Sequence, residues 1–228
     1  MAFIDLLRQL MQNSGALQGE DAAEVLRGIE LREALSEDPN DIAAFQGLAE
    51  LVDEAASSSM TVEDPLTAEG AESTPQEQAN LAMWSLAEEL SGRPNAWYPL
   101  IELARLSVES DVEGATRRLQ TAIERDETGR ALGESIKVLR EAGYADSGIS
   151  LGIGYWDPKN QKFAAGEQLI LAAIDAHRPD IATKNFQILE QYAIKGEHED
   201  RLAFLSQLIE QSEAEAESRL KEREQREN

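Results

Sequence analysis

Apolar residues in this chain recur three and four positions apart, and polar residues fill the gaps. Residues 96–126 carry the clearest case. Trp97, Leu100, Ile101, Ala104 and Val108 form one face, and Ala115, Leu119, Ala122 and Ile123 form a second. The spacing is helical rather than alternating. Between the two faces, Ser110-Asp111-Val112-Glu113-Gly114 breaks the pattern and offers a side-chain cap at Ser110 or Asp111. The segment therefore predicts an antiparallel helix hairpin. A single hairpin cannot bury both of its apolar faces, so others must stack beside it.

The rest of the chain has the same period. Phe3, Ile4, Leu7, Leu10 and Met11 share a face that ends at Asn13-Ser14-Gly15, predicting a helix that docks on the end of a bundle or anchors to a partner or membrane. Val25, Leu26, Ile29, Leu31, Ala34 and Leu35 predict another helix, stopped by Ser36-Glu37-Asp38-Pro39-Asn40-Asp41, because proline cannot continue the hydrogen-bond ladder. Ile42, Phe45, Leu48, Ala49 and Val52 follow. Helical spacing resumes with Leu81, Met83, Trp84, Leu86, Ala87 and Leu90, and again with Ala131, Leu132, Ile136, Val138 and Leu139. Two strong faces come next: Leu169, Ile170, Ala172, Ala173 and Ile174, then Ile181, Phe186, Ile188, Leu189, Tyr192 and Ile194. A last helix starts near His198 with Leu202, Phe204, Leu205, Leu208 and Ile209, and becomes a mixed-charge tract beyond Ser212. No β-branched, alternating run bounded by turn signals occurs, so no sheet is predicted.

The string REALSEDPNDIAAFQGLAELV resembles the junction between two tetratricopeptide repeats. A small residue and a leucine close one helix (Ala34, Leu35), a turn is built on Pro39, and an aromatic, a leucine and a small residue (Phe45, Leu48, Ala49) mark the next. Pro94-Asn95 before Trp97, and Ala115, Leu119 and Ala122, echo parts of the same pattern. The resemblance implies an all-α fold: antiparallel helix hairpins stacked as a right-handed solenoid similar to tetratricopeptide repeats, closed by a C-terminal capping helix whose outer side is polar. The expected organisation is N-terminal helices and a hairpin over 1–56, an acidic flexible linker over 57–76, the main helical-repeat domain over 77–212, and a charged helical tail over 213–228.

The linker follows from composition. Residues 57–76 are rich in Ser, Thr, Glu, Pro and Gly, and lack the apolar area that would offset the entropy of ordering. Charge narrows the partners. The net charge is −23, and residues 1–80 carry 17 acids against 3 bases, a local −14. Without a basic stripe, nucleic acid is excluded as an expected partner, and so is attraction to anionic lipid by charge alone. There are no cysteines, hence no disulfide, thiolate nucleophile or cysteine-metal site. The N-terminal stretch lacks the features of a secretory signal, and no apolar run reaches membrane-spanning length, so integral membrane association is not expected and the expected location is cytoplasmic.

Candidate chemistry is sparse. His177 and His198 fall near helix ends without metal-ligand spacing to a second histidine or carboxylate. Glu102, Glu134 and Glu167 lie on helices that could share a concave face as acid and base, but acids this abundant are explained by solvation. Gly148, Gly152 and Gly154 follow no strand and lack dinucleotide or P-loop spacing, so they read as places where another helix crosses closely. No catalytic residue, metal site or cofactor is assigned, and the chain is not expected to be an enzyme.

A protein–protein interaction or scaffolding module that binds a partner protein or peptide is the expected function, as the family resemblance implies. Arg105, Lys137 and Arg140 are candidates for holding an acidic peptide, and Tyr155 and Trp156 are either core or a partner-binding hot spot. The carboxylate-clamp pattern of the family is not matched. Homo-oligomer formation stays open. Two alternatives stand: a small-molecule or enzymatic helical domain centred on 148–163, and a peripheral membrane adaptor acting through residues 3–11.

Overall fold

A computed structural model describes residues 21–60 and 74–227. These form ten helices: α1 (Asp21–Glu37), α2 (Ile42–Met60), α3 (Pro75–Ser91), α4 (Tyr98–Ser107), α5 (Val112–Glu124), α6 (Arg130–Glu141), α7 (Ala145–Tyr155), α8 (Phe163–Asp175), α9 (Pro179–Tyr192) and α10 (Glu199–Glu227). Among the described residues there is no strand, so the fold is all-α. The face expected over 3–11 lies outside the described residues, as do 61–73 of the acidic stretch. The ends of that stretch are helical, because α2 runs on to Met60 and α3 opens at Pro75.

The chain divides into two compact units, Met1–Leu106 and Ser107–Asn228. Both helices expected within 96–126 are present as α4 and α5, and the boundary between the units falls at the last residue of α4.

In the first unit α1 packs on α2 and α2 on α3. Leu35, Phe45, Leu48, Val52, Leu86 and Ile101 are all but inaccessible. The string L-S-x-x-P-N occurs twice, at 35–40 and 90–95, each time closing one helix before the next. The two turns meet through side chains. The Asn40 carboxamide oxygen accepts the N–H groups of Trp97 (2.7 Å) and Tyr98 (3.0 Å), and its NH2 donates to the Asn95 carbonyl (2.9 Å). Asn40 thus caps α4 from a turn more than fifty residues away. Arg93 Nη1 donates to the Ser36 carbonyl at 2.7 Å, and Arg32 bridges α1 to α3 by donating to both Glu89 carboxylate oxygens at 2.9 and 3.2 Å. Phe45 meets Tyr98 edge-on, with ring centroids 5.4 Å apart. The helix starts are locally specified too: Thr74 and Glu77 form a reciprocal capping box on α3, and Asp41 accepts the Ala44 N–H on α2. The helix expected from Val25 to Leu35 is present as α1, but its Leu26 and Ile29 are 60% and 40% exposed. Helical spacing shows that residues share a face, but not that a neighbour covers it.

In the second unit each helix from α5 to α10 packs on the next. Two contacts also skip a helix, α6 with α8 and α8 with α10, so these three lie side by side. Consecutive packing of this kind is compatible with stacked hairpins. The α5 cap is Asp111, which accepts the Gly114 N–H at 2.8 Å. Asp126 performs the same task for α6, accepting the Ala131 N–H at 2.8 Å from a buried position. Glycines set the close crossings. A Cβ on Gly148 would lie 3.3 Å from Ile136 Cγ2, and one on Gly152 only 2.6 Å from Leu169 Cδ1. Both belong to α7, so they are helix-crossing positions, not a phosphate-cradling loop.

Candidate partner-binding site

At the end of α7 the chain turns sharply. Asp157 organises the turn by accepting the Asn160 side-chain amide at 2.6 Å and the Lys159 backbone N–H at 3.1 Å. These donors, the Asn160 amide foremost, hold its carboxyl below the ordinary 3.8, since each favours the ionised form. Gln161 closes the other side, its Nε2 donating to the Tyr155 carbonyl at 3.1 Å and its Oε1 accepting the Asp157 N–H at 3.1 Å. The Lys162 N–H donates to the Thr128 carbonyl at 2.8 Å and ties the turn to the start of α6.

This turn delivers Trp156 against α8. A Cβ on Gly166 would lie 2.4 Å from the indole, so only glycine at this position admits the ring. Leu189 of α9 closes on the same glycine. On the far side, the 193–198 turn is fixed by the Ile194 N–H donating to His198 Nδ1 at 3.0 Å. The His198 ring stacks on Phe163, with centroids 4.0 Å apart and planes 12° from parallel. Between these elements lies a cavity of about 170 Å³, lined chiefly by Trp156, Phe163, Leu189, Tyr192, Ile194 and His198. Tyr192 and Ile194, counted from sequence on the apolar face of α9, line the cavity while 48% and 57% exposed. The helix ends at Tyr192, which places Ile194 in the following turn.

The five residues singled out from sequence fall in different settings. Trp156 is half-buried in the cavity wall, its Nε1 shielded and without a hydrogen-bond partner among the described residues. Tyr155 is exposed beside it. Arg140, on α6, pairs with Asp175 at 3.0 Å. Lys137, one turn earlier on that helix, is half-buried. Arg105 belongs to the first unit and pairs with Glu102 at 3.5 Å. The acids considered for catalysis are similarly engaged: Glu102 by Arg105, and buried Glu167 by Arg201. What sequence reasoning missed is the company Trp156 keeps. Phe163, Leu189, Tyr192, Ile194 and His198 come from three different elements, and no spacing rule links them.

Two wider hollows, about 440 and 400 Å³, adjoin α10 and share His177, Ser212 and Glu215. Their walls mix charged side chains, among them an Arg219–Glu215 pair at 3.5 Å, with apolar Ile174, Leu208, Ala216 and Leu220. His177 stands at their junction with φ of 57°, a left-handed conformation that Gly143 and Gly196 adopt at other turns. Among the described residues no three His, Asp or Glu side chains gather as metal ligands, and no helix is long and apolar enough to cross a membrane. Comparison of the chain with protein-family models, curated proteins and solved structures gave no match.

Proposed function

We propose that this chain is a non-enzymatic interaction module. On this reading it is a divergent stack of hairpins similar to tetratricopeptide repeats, with α10 as its cap, and it holds a partner protein in the cytoplasm. The observation that carries the proposal is the Trp156 cavity: a hollow with aromatic and aliphatic walls and a charged edge, to which Tyr192 and Ile194 contribute exposed side chains. Large apolar side chains left in water beside a preformed hollow are what protein-binding surfaces present. The size argues the same way, since small-molecule sites usually enclose about 300–1,000 Å³ and this cavity encloses about 170 Å³. The side-by-side contacts of α6, α8 and α10 support the stacked-repeat part of the reading, as do the Ala34, Leu35, Pro39, Phe45, Leu48 and Ala49 positions.

Affinity capture with mass spectrometry, repeated with a Tyr192→Ala/Ile194→Ala chain, tests the proposal. A partner retained by the parent chain and lost by the double variant is expected. Identical capture by both chains would remove the cavity from the reading. Melting shifts with small metabolites in place of any protein partner would overturn it.

A further inference from the structure

We infer that the Trp156 cavity takes a single leucine- or phenylalanine-sized side chain of a peptide, with a lysine or arginine of that peptide beside it against Glu197. This rests on the interaction-module reading and names the ligand chemistry of that site. Volume sets the anchor. A cavity of about 150 Å³ suffices for benzene, so 170 Å³ admits one large side chain and not two. Rigidity makes the hollow useful. Gly166 seats the indole, the Phe163–His198 stack fixes one wall, and the Ile194-to-His198 hydrogen bond fixes the turn at the mouth. A preformed hollow costs little ordering on binding.

Charge sets the flank. Residues 190–200 carry Glu190, Glu197, Glu199 and Asp200 against Lys195, a net −3, whereas 157–162 carry Lys159 and Lys162 against Asp157, a net +1. The acidic side is therefore the one formed by the end of α9 and the turn into α10. Glu197 lines the cavity there with its side chain 64% exposed, its carboxylate 3.5 Å from His198 Nε2, while Lys162 lines the cavity from the 157–162 turn. A cation on the ligand meets an accessible carboxylate at that edge, and the net charge of −23 steers basic segments toward the molecule. The site is built from helix ends and turns around one small hollow, so recognition concentrates in one anchor rather than along an extended strip.

The test is selection of random twelve-residue peptides displayed on phage against the full chain, counter-screened with Tyr192→Ala/Ile194→Ala. The proposal expects enriched peptides that share one Leu or Phe beside a Lys or Arg. Replacing that anchor by Ala should weaken binding about 10- to 100-fold. Glu197→Gln should erase the preference for a basic flank and leave the anchor requirement in place. Enriched peptides without the pattern, or equal binding to the double variant, would overturn the cavity assignment while the interaction module stands. No enrichment at all would count against both. The double variant removes exposed side chains, so its circular-dichroism spectrum and melting temperature should match the parent.

Discussion

The two units solve the same packing problem with different materials. In the first, side chains reach between turns: Asn40 caps α4, Arg93 holds the Ser36 carbonyl, and Arg32 grips Glu89. In the second, helices close directly on glycine. Gly152 lies under Leu169, and Gly166 lies under Trp156 and Leu189. Charge divides the same way, with −15 of the net −23 falling in residues 1–106 and −8 in 107–228. The difference shows what each unit can spare. A polar clasp tolerates distance and some movement, whereas a glycine on a helix lets a large side chain of a neighbouring element seat directly against the backbone. In the second unit two of those side chains, Trp156 and Leu189, form part of the cavity wall.

The contrast can be broken most sharply at Gly166. Valine there meets the Trp156 ring and Leu189, and overpacking of this kind should cost about 3 kcal/mol. Urea unfolding followed by circular dichroism reads the loss, and an unchanged midpoint would show that the indole has room to move. Asn40→Ala is the matching test of the first unit. It leaves the Trp97 and Tyr98 N–H groups without their acceptor and should cost about 2 kcal/mol. Faster hydrogen exchange at those two amides is the direct readout. Asn40→Asp keeps the acceptor for both N–H groups but sets a carboxylate oxygen against the Asn95 carbonyl, so it should restore part of the loss and not all of it.

A smaller effect, of opposite sign, is expected at His177. A non-glycine residue in the left-handed region costs about 1 kcal/mol, so His177→Gly should raise the melting temperature slightly. The smallest effect concerns Asp157. Its carboxyl is held below 3.8 in the folded chain, so its contribution is present above that pH and is lost as pH falls through the lowered value. The Asn160 side-chain amide resonances should shift with a midpoint below 3.8. A midpoint at or above 3.8 would mean that the turn is not organised as described.

Much of the architecture was legible without coordinates, and Trp97, Leu100, Ile101, Ala104, Val108, Ala115, Leu119, Ala122 and Ile123 show why. Each is buried, as its spacing implied, because helical period is a local property that neighbouring residues write together. Stops and caps are equally local: Asp38-Pro39-Asn40 ends α1, and Asp111 starts α5. Leu26, Ile29, Tyr192 and Ile194 show the limit. Each sits at an apolar spacing and each is exposed, because burial requires a second surface and period says nothing about where that surface is. The same holds for function. The sequence by itself determined that this chain is helical, strongly acidic and free of cysteine chemistry. Only the tertiary structure decided that Trp156 faces Phe163, Leu189, Tyr192, Ile194 and His198, because that neighbourhood depends on three elements meeting in space through contacts that no single stretch of chain encodes.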